Sequence, residues 1–168
     1  MNGGAEMIDP IHYEDLEVGS VTCYGNYAVT RDEVIEFASK YDPQPFHLSD
    51  EAAAKTYFGR LSASGWHTAA MVMRMLVDNM QHGRPMASLG SPGIDEIRWR
   101  KPVYPGDRLR VENQLLSKRR STSRPDMGLT RSKSTVYNQD DEVVMTLIAN
   151  GLVRVRHPEV AEGQSDFE

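Results

Sequence analysis

The stretch from Gly65 to Gln81 sets the strongest limit on how this chain can fold. Trp66, Ala69, Ala70, Met73, Leu76, Val77 and Met80 recur at three- and four-residue spacing, which predicts a helix with one continuous apolar face. Met71, Val72 and Met75 extend that apolar surface around the other side. A helix apolar on both sides is enclosed by protein rather than laid on a surface. The residues that follow supply the enclosure. Ile97 and Trp99 alternate with Arg98 and Arg100 before the turn Tyr104-Pro105-Gly106-Asp107. Leu109, Val111 and Leu115 then alternate with Arg108, Arg110 and Gln114. Arg124 to Gly128 is a turn, Arg131 to Asn138 a polar strand, and Gln139 to Glu142 another turn. Val143, Met145, Leu147, Ala149, Gly151, Val153 and Val155 form one face of a long last strand. One buried helix followed by antiparallel strands predicts an α+β domain whose curled sheet wraps the helix.

The first half reads differently. Val18 to Val29, broken by Gly19 and Gly25, is an opening strand or hairpin. Thr30-Arg31-Asp32-Glu33 is a capping box that starts a helix carrying Val34, Ile35, Phe37 and Ala38. That helix stops before Asp42-Pro43. Ser49 begins a short helical piece through Ala52, Ala53 and Ala54. His82-Gly83-Arg84-Pro85 ends the long helix, with Gly83 suited to a left-handed cap.

A length of 168 residues suits one domain with a real core, spanning about 13–156 between flexible ends at 1 to about 8 and 158–168. The net charge of −5 argues against nucleic acid as a partner. Cys23 is the only cysteine, which rules out an intrachain disulfide and a cysteine metal cluster. The N-terminus lacks a signal-peptide pattern, and no apolar run reaches the roughly 18 residues of a membrane span. The expectation is a soluble, cytoplasmic protein with no membrane partner.

Chemistry is concentrated in Asp42-Pro43-Gln44-Pro45-Phe46-His47, followed by Phe58-Gly59 and Ala63-Ser64-Gly65-Trp66-His67-Thr68. A carboxylate and an imidazole stand five residues apart in a segment that two prolines stiffen, close to a glycine at a helix start. These groups can hold a water between an acid and a base, beside an N–H able to meet an oxyanion. The competing reading makes Asp42 a turn former and His47 a cap for the helix near Ser49. His67 reads as structural because it sits inside the helix, and His12, His82 and His157 as surface residues. Asp42 and His47 have no third or fourth ligand at useful spacing, so no metal site is expected.

In these motifs the sequence resembles the MaoC-like dehydratase family of hotdog-fold proteins, which includes (R)-specific enoyl-CoA hydratases. The resemblance spans roughly Tyr13 to Arg156, and Lys101-Pro102-Val103-Tyr104-Pro105-Gly106-Asp107 is similar to the family's Pro-Val-x-Pro-Gly-Asp turn. Where the family commonly has Asn this chain has Gln44, and where it has a small aliphatic residue this chain has Phe46. The resemblance implies a hotdog fold and hydration of a trans-2-enoyl thioester. In that role Asp42 and His47 activate one water, and the Gly65 amide N–H stabilises the thioester oxyanion. It places Gln44, Phe46, Phe58, Gly59, Ser64 and Trp66 about the substrate. It implies an acyl-CoA or acyl-carrier-protein thioester as partner, no cofactor beyond the CoA of the substrate, and a homodimer or higher homo-oligomer joined edge to edge. Arg98, Arg100, Lys101 and Lys118-Arg119-Arg120 offer charge for phosphates, although a solvated strand face and hairpin tip is the favoured reading. A thioesterase on the same fold and a non-catalytic acyl-thioester binding subunit are the alternatives.

Overall fold

A computed structural model of the chain describes residues 9–160. β1 (Val21–Ala28) is a single strand rather than a hairpin, and the register shift between Tyr24 and Tyr27 absorbs Gly25, whose φ is 90°. Met75 Sδ occupies the space that a Cβ on Gly25 would need, so this glycine lets the long helix lie directly against β1. Thr30 Oγ1 accepts the Glu33 amide N–H at 3.4 Å and opens α1 (Arg31–Tyr41). That helix ends because Asp42, ahead of Pro43, takes an extended φ of −150°. A 3-10 turn, Pro45–His47, precedes α2 (Asp50–Ala53), which Ser49 caps.

The long helix, α3, runs from Gly65 to His82 with Ser64 as its N-cap. Its C-terminal cap differs from the left-handed glycine expected. Gly83 is extended, with φ −113° and ψ −160°. Two carbonyls near the end are engaged without a left-handed residue: the Gly83 N–H donates to Asn79 O at 3.1 Å, and His82 Nδ1 donates to Asp78 O at 2.7 Å.

Four further strands follow: β2 (Ser88–Trp99), β3 (Arg108–Arg120), β4 (Met127–Tyr137) and β5 (Val143–Arg154). They form one antiparallel sheet in the order β1-β3-β4-β5-β2. The polar strand expected at Arg131 to Asn138 is therefore interior, and β1 and β2 are the edges. β2 begins well before Ile97, because irregular pairing carries Gly90-Ser91-Pro92-Gly93, a turn-like sequence, along the β5 edge.

Met71, Val72 and Met75 of α3 share one buried cluster with Leu109, Val111, Val136, Met145 and Leu147 from the sheet. Burying each of those helix side chains contributes about 1.5–3 kcal/mol. The result is an α+β hotdog arrangement, a five-stranded sheet curled around a central helix.

The apolarity of α3 on both sides predicts enclosure all round, and the single chain does not show it. His67, Thr68, Met71, Val72 and Met75 are buried, while Trp66, Met73 and Val77 are 61%, 57% and 39% exposed. In the single chain the helix is thus enclosed on one side only. Both sides are apolar, so periodicity did not distinguish them.

The expected flexible ends fall mostly on residues 1–8 and 161–168, outside the described range. Of the rest, the carbonyls of Pro158 and Val160 accept hydrogen bonds from the Arg120 guanidinium. No helix among the described residues is long and apolar enough to cross a membrane.

Candidate active site

The site begins where α1 runs out. The Asp42 amide N–H still closes the helix, donating to Ala38 O at 2.9 Å, while its side chain turns toward α3. Ser64 Oγ–H donates to Asp42 Oδ2 at 2.6 Å, and the Gln44 amide donates to Asp42 Oδ1 at 2.7 Å. Burial works against ionisation of Asp42, but the donors Ser64 and Gln44, together with the nearby His47 ring, hold its carboxyl below the ordinary value. Asp42 is a carboxylate at neutral pH.

His47 is 5% exposed and does not cap the helix that follows; Ser49 does. Its Nδ1–H donates to the Ser62 carbonyl at 2.8 Å. A carbonyl only accepts, so in the neutral ring this bond places the proton on Nδ1 and leaves the Nε2 lone pair facing Asp42. His47 Nε2 lies 3.6 Å from Asp42 Oδ2. One water at a hydrogen-bond distance of about 2.8 Å reaches both atoms.

Ser62 belongs to a buried connection, Leu61 to Ser64, that is held at both ends. The Leu61 N–H donates to Asp50 Oδ1 at 2.9 Å, and the Ala63 N–H donates to Val103 O at 2.8 Å. Val103 lies in the Lys101–Asp107 turn. Asp107 in that turn is 6% exposed and accepts the Tyr104 N–H at 2.8 Å and the Gln139 amide at 3.1 Å, which makes it structural.

At the start of α3, Ser64 Oγ also accepts the Trp66 N–H at 3.3 Å. The Gly65 N–H meets no acceptor among the described residues and stands at the positive end of an 18-residue helix. Trp99 explains why this position is glycine. Its indole N–H donates to the Gly65 carbonyl at 2.8 Å, and a Cβ on Gly65 would lie 2.6 Å from the Trp99 ring. The close approach at Gly65 is thus first of all that of Trp99, which also meets Trp66 edge to face with centroids 5.4 Å apart.

These groups surround a cavity of about 430 Å³. Of the residues singled out for catalysis or substrate from sequence, all line it except Gly59, which forms the adjoining turn with φ 70°. Phe46 and Phe58 stack at 4.9 Å beside His47, and the Tyr104 hydroxyl donates to the Phe58 carbonyl at 2.9 Å. Arg100 and Lys101 also line the cavity.

Lys101 is itself paired with Glu142 at 2.5 Å, and three of the other cations are engaged away from the cavity. Arg98 pairs with Glu96, Lys118 donates to the Tyr13 and Leu16 carbonyls, and Arg120 holds the chain near Pro158. Reading from sequence missed the Ser62 carbonyl, the Trp99 contact and the Ser64–Asp42 bond. The only signal for the last was Ser64 at a helix N-cap.

A five-stranded sheet curled around a long helix, with a carboxylate and an imidazole 3.6 Å apart near the start of that helix, is a hotdog-fold arrangement. The family model described as "MaoC like domain" matches residues 20–138. The chain is 30% identical to the 3-hydroxybutyryl-CoA dehydratase of Methylorubrum extorquens over 154 residues, covering 90% of this chain and 88% of that protein. A MaoC-like dehydratase from Rhodospirillum rubrum shares the fold with a TM-score of 0.79 at 42% identity, covering 87% of this chain and 98% of that one. The (R)-hydratase PhaJ1 of Pseudomonas aeruginosa superposes with a TM-score of 0.65 at 25% identity, covering 91% and 93%. This chain belongs to the MaoC-like dehydratase family.

Ser64→Ala removes the shortest hydrogen bond to Asp42, so its carboxyl should titrate at higher pH. A carboxyl-carbon NMR titration reads this directly, and an unmoved midpoint would show that Ser64 does not stabilise the carboxylate.

Proposed function

We propose that the protein adds water reversibly to a trans-2-enoyl thioester, giving a 3-hydroxyacyl thioester of (R) configuration. The observation carrying this reading is the pairing of an ionised Asp42 with the free Nε2 of His47, 3.6 Å apart on one cavity wall. A water held between them donates one hydrogen to the Asp42 carboxylate and the other to His47 Nε2. As its oxygen bonds to Cβ, His47 takes the proton, and the alkene electrons move through Cα toward the thioester carbonyl. The Gly65 N–H meets the resulting enolate oxygen, where helix N-terminal partial charge is most useful. The imidazolium, stabilised by Asp42, then returns the proton to Cα on the same face. The net change is addition of one H₂O, and no cofactor takes part.

The acyl group would lie along Phe46, Phe58 and Trp66, with Gln44 and Ser64 acting through Asp42. Relatives named for a CoA thioester and for acyl-carrier-protein chemistry make both carriers candidates. Loss of crotonyl-CoA absorbance without release of free thiol is the expected result, and thiol release from saturated acyl-CoA would favour thioester hydrolysis instead. Asp42→Asn and His47→Gln should each lower hydration by about a hundredfold or more. Because both groups hold one water, the double variant should be little worse than either single one. A folded single variant with near-wild-type turnover would contradict the assignment.

The same reading makes the protein a homodimer. β2 leaves one edge unpaired within the chain, and Trp66, Met73 and Val77 form the open side of α3. A second copy paired at that edge would cover both features beside the cavity mouth. Sedimentation velocity at micromolar concentration should give twice the chain mass; a monomer alone would contradict it.

A further inference from the structure

His67 is 3% exposed, yet it does not line the cavity that holds Asp42 and His47. It lines a separate cleft of about 500 Å³ on the other flank of α3, where α1 crosses it. Its Nε2–H donates to Glu33 Oε1 at 3.3 Å, and the same oxygen accepts a short hydrogen bond from the Tyr27 hydroxyl of β1. Its ring stacks on Phe37 of α1, with centroids 4.6 Å apart and planes 8° from parallel. Nδ1 is buried with no hydrogen-bond partner among the described residues, so the polar contact that orients the ring is the one to Glu33. Three elements therefore meet at this junction, α1 and α3 through the imidazole and β1 through Glu33.

Their positions along the chain give this junction a purpose. Phe37 lies five residues before Asp42 on α1, and His67 lies two residues after Gly65 on α3. The two helix ends that deliver the carboxylate and the free N–H are thus pinned to each other one turn back from the site. We infer that His67 is a positioning residue, locking α1 to the first turn of α3 and thereby setting the hydrogen bond between Ser64 and Asp42. A shift of the order of 1 Å between these ends would stretch that 2.6 Å bond and misplace the water, and such displacements cost rate out of proportion to their size. The inference rests on the hydratase reading for its effect on turnover, but not for its effect on Asp42.

Two variants separate the two contacts. His67→Phe keeps a ring against Phe37 and removes the Nε2–H donor; Phe37→Leu keeps the donor and removes the stack. The groups facing the Asp42 carboxyl are His47, Ser64 and Gln44, with Arg100 and Lys101 farther along the cavity wall. Ser64 is the one that moves with α3. In each variant that melts cooperatively, the Asp42 carboxyl should titrate at higher pH by carboxyl-carbon NMR. On crotonyl-CoA, kcat should fall about tenfold, with the acid limb of its pH profile moved upward and KM changed less than about twofold. Adding Ser64→Ala to His67→Phe should move the midpoint no further than Ser64→Ala alone, because both act through one bond. If His67→Phe does not fold, Phe37→Leu decides the matter. A folded variant with an unmoved Asp42 midpoint, or an additive double variant, overturns the inference. Wild-type turnover in Asp42→Asn overturns the hydratase reading instead and leaves the Asp42 titration result standing.

Discussion

Ser64 places one hydroxyl where two parts of the molecule have to agree. Its hydrogen goes to Asp42 Oδ2 at 2.6 Å, and its lone pair receives the Trp66 N–H at 3.3 Å. The first contact fixes the carboxylate that follows α1; the second starts the first turn of α3. Because the next residue is Gly65, the group that steadies the carboxylate is covalently joined to the amide that would meet an oxyanion in the proposed reaction. Around this bond the remaining supports make sense. Gln44 holds the second carboxylate oxygen, the Ser62 carbonyl orients the His47 ring, and Trp99 holds the carbonyl of the Gly65–Trp66 peptide.

Much of this was legible in the sequence, and the exceptions have physical causes. Thr30, Ser49 and Ser64 cap helices because a short side-chain oxygen meets an amide only two or three residues away, a local interaction that sequence expresses directly. The alternation in β3 likewise reports which side chains face the core, whereas in β5 Val144 and Thr146 are buried alongside Met145 and Leu147, so the expected single face is not what burial there follows. What failed was nonlocal. α3 is apolar on both sides, so its periodicity located a helix without saying that Met71 and Met75, rather than Trp66 and Met73, meet the sheet. Trp99 looked like an alternating strand residue, since its partner Gly65 lies 34 positions away. Gly83 looked like a left-handed cap because the competing His82–Asp78 carbonyl bond depends on a rotamer that composition does not show.

The exposed side of α3 and the free edge of β2 belong to one problem. An edge strand with unpaired backbone groups and an apolar helical stripe are each costly to leave in water, and here they lie next to the site rather than far from it. Trp66 and Trp99 join them, being 61% and 44% exposed and in contact with each other. In the proposed dimer, assembly and catalysis would be coupled through the same two aromatic residues, which would shape the cavity mouth only once covered.

The central claim is that one water, held by Asp42 and His47 on a single wall, supplies both the oxygen and the proton. Hydrating crotonyl-CoA in D₂O and assigning configuration at both C2 and C3 of the product tests it most directly. The account predicts the (R)-3-hydroxyacyl thioester with deuterium added at C2 on the same face as the oxygen. An (S) product, or deuterium on the opposite face, would contradict it.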